Sequence, residues 1–288
     1  AGSMGVTAET VALDFPTLVK HKAKTITTLQ KGIGAALKRH KVDVITGTGR
    51  LVKSGVVEVT PAAAQAEAGS ASPEAGTSRD SGTQTGTGEP RQLTSRYVLL
   101  ATGSEPFVPP IPGVTDGRNS GAVITSTEAL SLDSIPKRIV IVGGGYIGME
   151  FATFFAQAGS EVTVVEMTPS LVPTVDPSLV PVLRKHLPKM NVHLESKVVS
   201  VSGKPGSATV EIESLKDETA GTPERINTDL VLMSVGRRPR ITGLDPERTG
   251  LAVRRGAVVV DDYLQTNLPG VYAAGDCTGR LMLAHAAY

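Results

Sequence analysis

The sequence predicts an α/β chain with a parallel sheet flanked by helices, and three observations predict it. Ile139-Val140-Ile141-Val142 is a β-branched run of the kind that forms a strand buried on both faces. It passes directly into Gly143-Gly144-Gly145-Tyr146-Ile147-Gly148, which places Gly143, Gly145 and Gly148 at the spacing G-x-G-x-x-G. A helical stretch over 147–158 then leads to a second β-branched run, Val162-Thr163-Val164-Val165, closed by Glu166. Strand, glycine turn, helix and strand together form the βαβ signature of a Rossmann-like domain.

The other elements follow in chain order. Residues 14–41 predict a helix. Asp14 is its N-cap and Pro16 lies in its first turn. Leu18, Ile26, Leu29, Ile33 and Leu37 recur at helical spacing as one apolar stripe, and His40-Lys41 form a basic C-terminal end. Strand candidates come next at 42–45, 55–60 and 96–101. Between the last two lies 61–91, a stretch rich in Ala, Gly, Ser, Thr, Glu and Pro with no large aliphatic residue. Such a composition buries too little apolar surface to offset its ordering entropy. It reads as a disordered insertion within one meander. Pro106, Pro109, Pro110 and Pro112, with several glycines, mark 106–121 as a domain boundary. Beyond the βαβ unit, strands are expected at 192–194, 208–213, 230–235 and 270–274.

The glycines at 143, 145 and 148 have separate tasks. The first allows the turn out of the strand, the second lets a diphosphate approach the backbone, and the third lets helix and strand pack closely. The helix then presents free N–H groups and its positive dipole end to the phosphates. Glu166 lies 18 residues beyond Gly148. A carboxylate there accepts from both hydroxyls of the adenosine ribose and repels a 2′-phosphate, so the site is expected to prefer NAD to NADP. FAD uses the same fingerprint, but an FAD fingerprint normally opens its chain, whereas this one is central.

Composition narrows the classes of function. Lys+Arg 29 against Asp+Glu 28 gives a net charge of +1, which supplies no electrostatic footprint for nucleic acid or an anionic membrane. No apolar run reaches the roughly 18–20 residues that cross a bilayer. Cys277 is the single cysteine, so the chain forms no internal disulfide and no multi-cysteine metal site. His21, His40, His186 and His193 show no metal-ligand spacing, and no metal site is expected.

The motifs resemble those of the pyridine nucleotide–disulfide oxidoreductases, and most closely the branch that oxidises dihydrolipoamide. Ala101-Thr102-Gly103-Ser104 resembles the family's return strand to FAD. Ile124-Thr125-Ser126-Thr127-Glu128-Ala129-Leu130 is similar to the crossover into its NAD domain. Gly143 to Glu150, through Gly144, Tyr146, Ile147 and Met149, resembles its NAD fingerprint, with Glu150 near the nicotinamide. Gly236-Arg237-Arg238-Pro239 is similar to the loop that closes the NAD site, and Val198 is placed with that site by the same resemblance. Tyr272-Ala273-Ala274-Gly275-Asp276 resembles the second FAD motif, with Asp276 on the flavin's ribityl or ribose side. Leu281-Met282-Leu283-Ala284-His285 is similar to the segment beside the flavin ring in the dihydrolipoamide-oxidising branch.

The resemblance implies a fold in which a Rossmann-like NAD domain is inserted into an incomplete FAD-binding domain. Residues 1–115 would be part of the FAD domain, 116–266 the NAD domain and 267–288 the return to the FAD domain. The chain would then be the middle of a longer protein, since it shows neither a second glycine fingerprint nor the family's pair of redox cysteines. In full length that protein would be a homodimer. It would pass electrons from the dihydrolipoamide of a 2-oxo acid dehydrogenase complex through a disulfide and FAD to NAD. No catalytic residue of that kind is found in this chain, so residues 1–288 alone are expected to bind NAD weakly, FAD poorly, and to be inactive. Ala286-Ala287 is similar to plastid-type enzymes, which together with the family points to a plastid or mitochondrion. Two other readings stand beside this one: a non-catalytic NAD-binding module, and a related NADH-dependent flavoprotein oxidase or reductase.

Single residues carry competing readings. Cys277 reads as a small buried side chain rather than a redox thiol. His285 reads equally as a flavin contact or a structural histidine. Arg237 and Arg238 read as ligand contacts rather than a surface turn, because a strand's C-terminal end delivers them.

Overall fold

In the computed structural model, residues 12–61, 89–216, 221 and 223–287 are described, and the interior of the expected insertion (62–88) lies outside them. Contacts divide the chain into two units. One holds Ala1–Lys24 and Pro106–Gly236, the other Thr25–Glu105 and Arg237–Tyr288.

Helix α1 spans Phe15–Arg39. Asp14 caps it by accepting from the Thr17 amide at 3.0 Å. At the other end Val42 N donates to Leu37 O and Lys41 N to Lys38 O, with Lys41 held at φ 55°. This is a Schellman closure with lysine in the place glycine usually takes. It uses the backbone amides at 41 and 42, which corrects the strand expected at 42–45: only an isolated bridge residue, Ile45, is found there. The apolar stripe is also corrected, because no residue of α1 is buried, and Leu29 and Ile33 are each 62% exposed.

The first strand is β1 (Gly47–Lys53), followed by β2 (Val56–Pro61) and β3 (Arg91–Thr94) in one antiparallel meander. Pro61 and Arg91, the outermost residues of the expected insertion, are therefore ladder residues at its two stems. Strand β4 (Val98–Leu100) is not the third strand of that meander, as 96–101 was expected to be. It pairs in parallel with a late strand instead. Strand β5 (Ser104–Pro106) follows, and the first part of the second unit ends within it at Glu105.

The first unit holds α2 (Val114–Ser120), β6 (Val123–Thr125), α3 (Ser126–Ala129), β7 (Arg138–Val142), α4 (Tyr146–Gln157), β8 (Glu161–Val165), α5 (Val180–His186) and β9 (Asn191–His193). An antiparallel ribbon of β10 (Ser196–Lys204), β11 (Ser207–Ser214) and β12 (Pro223–Thr228) follows, and β13 (Leu230–Met233) completes the unit. The central sheet is wholly parallel in the order β6-β13-β7-β8-β9. Strand β13 comes last in sequence yet lies between β6 and β7. All four of its residues are buried, and one core lies on each face of the sheet. One face packs Val140, Val142 and Val231 against Val198, Val201 and Val210 of the ribbon. The other packs Ile139, Ile141 and Leu232 against Met149, Ala152 and Phe155 of α4. Two covered faces explain why these strands read as unbroken β-branched runs.

The chain returns to the second unit with β14 (Arg237–Pro239), α6 (Pro246–Thr249), β15 (Val253–Arg254), β16 (Ala257–Val258) and β17 (Val271–Ala273), the strand that pairs with β4. Leu51, Leu100, Leu244, Leu251, Val258 and Val271 share its core. Residues 237–266, grouped above with the NAD domain, thus pack in the second unit, because Leu244, Leu251 and Val258 bury there.

Candidate nucleotide site

The glycine turn sits at the carboxyl ends of β7 and β8, where open parallel sheets bind ligands. Gly143 N donates to Val165 O at 2.8 Å, which ties the turn to the neighbouring strand tip. Gly143 has φ 103°, and a Cβ on it would lie 2.6 Å from Ser234 O. A Cβ on Gly148 would lie 2.0 Å from Gly143 O. The fold itself therefore requires these two glycines. Gly145 differs: its φ of −74° suits any residue, and a Cβ there would meet nothing within 4 Å. The protein's own packing does not account for a glycine at this position, and the backbone there is open to close approach from outside the fold. Gly145 is also the N-cap of α4 and has no capping side chain. The amides of the first turn, at Tyr146, Ile147 and Gly148, are the donors an anion can take.

Glu166 is 8% exposed, and both of its carboxylate oxygens accept from main chain. Gly144 N donates to Oε2 at 2.6 Å and Thr168 N to Oε1 at 2.8 Å. Its own N–H donates to His193 O, and its C=O accepts from Ser196 N. The residue is thus fixed at every polar atom, and it clasps the turn from the tip of β8. Each carboxylate oxygen keeps a lone-pair direction for a sugar hydroxyl. Charge, turn and helix end fit a dinucleotide diphosphate and its adenosine ribose.

The remaining candidates divide by where their side chains lie. Tyr146 and Glu150 are exposed on α4, and Gly236 is exposed after β13. Met149 and Val198 are buried in the two cores of the first unit, so any ligand contact from them would be made by main chain. Sequence reading missed the Thr125–Glu128 capping box and its Arg118 partner. Glu128 accepts from Thr125 N at 2.7 Å, and Arg118 pairs with it through two bonds of 3.0 Å. Burial pushes the Glu128 carboxyl up, but the Arg118 and Thr125 bonds outweigh it and hold the group at about 2.

In the second unit the candidates on the flavin side meet. Ser104 Oγ donates to Asp276 Oδ2 at 2.5 Å, and Arg237 donates from Nε to Ser104 Oγ at 2.7 Å and from its terminal nitrogen to Ser104 O at 2.8 Å. Arg237, expected at the NAD site, therefore spends donors on Ser104 and steadies Asp276 through it. Asp276 Oδ1 has no partner among the described residues, which suits a polyol hydroxyl. Thr102 donates to Arg240 O, and Gly103 O accepts from Arg240 N, so both hold the strand. Met282 is half-buried, and Leu283, Ala284 and His285 are exposed. Cys277 is buried with Sγ on Leu100 O and Ala274 O, as expected of a small core residue. Among the described residues no cluster of His, Cys, Asp or Glu could hold a metal ion, and no helix is long and apolar enough to cross a membrane.

A family model for pyridine nucleotide-disulphide oxidoreductase matches residues 4–288. A dihydrolipoyl dehydrogenase of Acholeplasma laidlawii is 36% identical over 281 residues, covering 98% of this chain and 72% of that protein. The mitochondrial dihydrolipoyl dehydrogenase 1 of Arabidopsis thaliana is 31% identical, covering 98% of this chain and 50% of its own length. Among solved structures, the HOCl-induced flavoprotein disulfide reductase RclA from Escherichia coli matches with a TM-score of 0.74 at 26% identity. The match covers 96% of this chain and 55% of that one. The chain thus spans about half the length of several proteins it matches.

Proposed function

Because the chain belongs to the pyridine nucleotide-disulphide oxidoreductase family, we propose that it binds NAD at the glycine turn. In the complete flavoprotein it would serve the reaction dihydrolipoamide + NAD+ → lipoamide + NADH + H+. The observation that carries this reading is the pairing of an unobstructed Gly145 with a buried Glu166 carboxylate. The amides of Tyr146, Ile147 and Gly148 would hold the diphosphate. Glu166 would accept from the ribose, and its charge would exclude a 2′-phosphate. Asp276, steadied by Ser104 and Arg237, would accept from a flavin polyol hydroxyl. Bound FAD and NAD supply the hydride chemistry, and the chain supplies position and charge.

A dithiol–disulfide exchange needs two thiols, and this chain has one, Cys277. Residues 1–288 alone are therefore expected to form no NADH from dihydrolipoamide. The donor would be a lipoyl group of a 2-oxo acid dehydrogenase complex, and the full-length protein a homodimer in a mitochondrion or plastid. The names of the Acholeplasma and Arabidopsis relatives support the donor, and the latter supports the mitochondrion. The likeness to RclA favours a second reading, a flavoprotein reductase acting on a different disulfide. Titration of the chain with NAD+ and NADP+ tests the first step, with NAD+ expected to bind more tightly. Tighter NADP+ binding, or no binding of either, overturns it. Dihydrolipoamide-dependent NADH formation by the full-length protein separates the two substrates.

A further inference from the structure

The second unit contains a cleft of roughly 690 Å³ whose walls carry five arginines: Arg237, Arg238, Arg254, Arg255 and Arg280. Val259, Val260 and Met282 form an apolar wall, and no carboxylate lines the cleft among the described residues. Ser104 and Asp276 are not part of it. Three of the arginines have partners. Arg237 donates to Ser104, Arg238 pairs with Glu105 at 2.6 Å, and Arg280 reaches Asp262 at 3.7 Å. The guanidinium groups of Arg254 and Arg255 have no hydrogen-bond or ion-pair partner among the described residues. Both sit at the tip of the β15–β16 hairpin. There Arg255 is held at φ 53° and Gly256 at φ 77°, two consecutive left-handed residues of the kind a type I′ turn requires. Asn, Asp or Gly normally fills the first of these positions, so an arginine there costs stability, and packing does not explain it because its side chain is exposed.

We propose that this cleft binds a phosphorylated small molecule. Arg254 and Arg255 would grip its phosphate oxygens, and its apolar part would lie against Val259, Val260 and Met282. Guanidinium forks match phosphate geometry, and the volume lies in the usual range for small-molecule sites. The cleft is lined by residues of the second unit and the glycine turn belongs to the first, so the proposal does not rest on the NAD reading.

Calorimetry with inorganic diphosphate at low ionic strength tests it. The 288-residue chain carrying G145A serves as parent, so that the glycine turn contributes little. R254A and R255G are each expected to weaken binding about tenfold or more, the loss of a charge-assisted bond. R225A removes one exposed positive charge in the first unit and is expected to change affinity less than about twofold. R255G also relieves the left-handed arginine, so its melting temperature is expected to match or exceed the parent's. A melting temperature at or above the parent's excludes unfolding as the cause of any lost binding in R255G. The proposal is overturned if diphosphate does not bind, if the R254A/R255G double variant keeps its affinity, or if R225A loses as much as they do.

Discussion

Replacing Gly145 with Ala adds one methyl group at a point where the protein has nothing within 4 Å. The backbone there, at φ −74° and ψ −171°, accepts alanine without strain. The substitution reduces the entropy of the unfolded chain, which stabilises by about 0.4–1 kcal/mol, and it makes a poorer N-cap, which costs a similar amount. Folding stability should therefore move by less than about 1 kcal/mol. The same methyl lies where a diphosphate must approach, and displacing it from the first-turn amides loses at least one charge-assisted hydrogen bond. At about 1.5–3 kcal/mol, NAD affinity should fall roughly tenfold to 150-fold. The chain has no tryptophan, so the emission of NADH can be followed without a tryptophan background and checked by calorimetry, with circular dichroism reporting the fold. Gly148→Ala is the contrast: its Cβ would lie 2.0 Å from a carbonyl oxygen, so it should destabilise by about 1–3 kcal/mol. A folded G145A that binds NADH as well as the parent would refute the assignment of the turn.

Glu166→Gln should leave the Gly144 or Thr168 amide facing an NH2 group; about 1–3 kcal/mol of stability should be lost in urea unfolding, and the preference for NAD+ over NADP+ should narrow. The Glu128 carboxyl is held at about 2, below its ordinary value of 4.5, so its contribution is complete above that ordinary value and is lost as pH falls toward 2. Asp229, lowered by its bond to Arg138, acts in the same direction, and E128Q should flatten the acid limb of a melting-temperature profile. Arg237→Ala should release Ser104 and lower melting temperature through a loss of about 1–2 kcal/mol while changing NAD affinity less than about threefold, because its donors are on Ser104.

The βαβ unit was legible because every local signal agreed: β-branched strands, glycines at fixed offsets, and an acidic residue at the next strand tip. Elements held by long-range pairing were not. Strand β1 contains two glycines, an arginine and a lysine, and its ladder with β2 rather than its own pattern makes it a strand. Strand β3 is exposed along its whole length and merges with the polar stretch before it. Val42, Val44 and Ile45 carry β-branched side chains, but the closure of α1 takes the first of the amides at 42–45. Thr125-Ser126-Thr127-Glu128 does match the sequence pattern of a capping box, so the box was legible too. Its Arg118 partner comes from α2 and only the fold brings it there.

The position of β13 constrains how the first unit can be made. As the chain emerges during synthesis, β6 and β7 appear before β13, but they must be left about 10 Å apart, two strand spacings, rather than paired with each other. The gap is filled only when Leu230–Met233 arrives, more than a hundred residues after β6. Until then two apolar strands present bare edges to any other nascent chain. A chain that stops before residue 230 therefore lacks the strand that joins β6 to β7, and its parallel sheet is split in two.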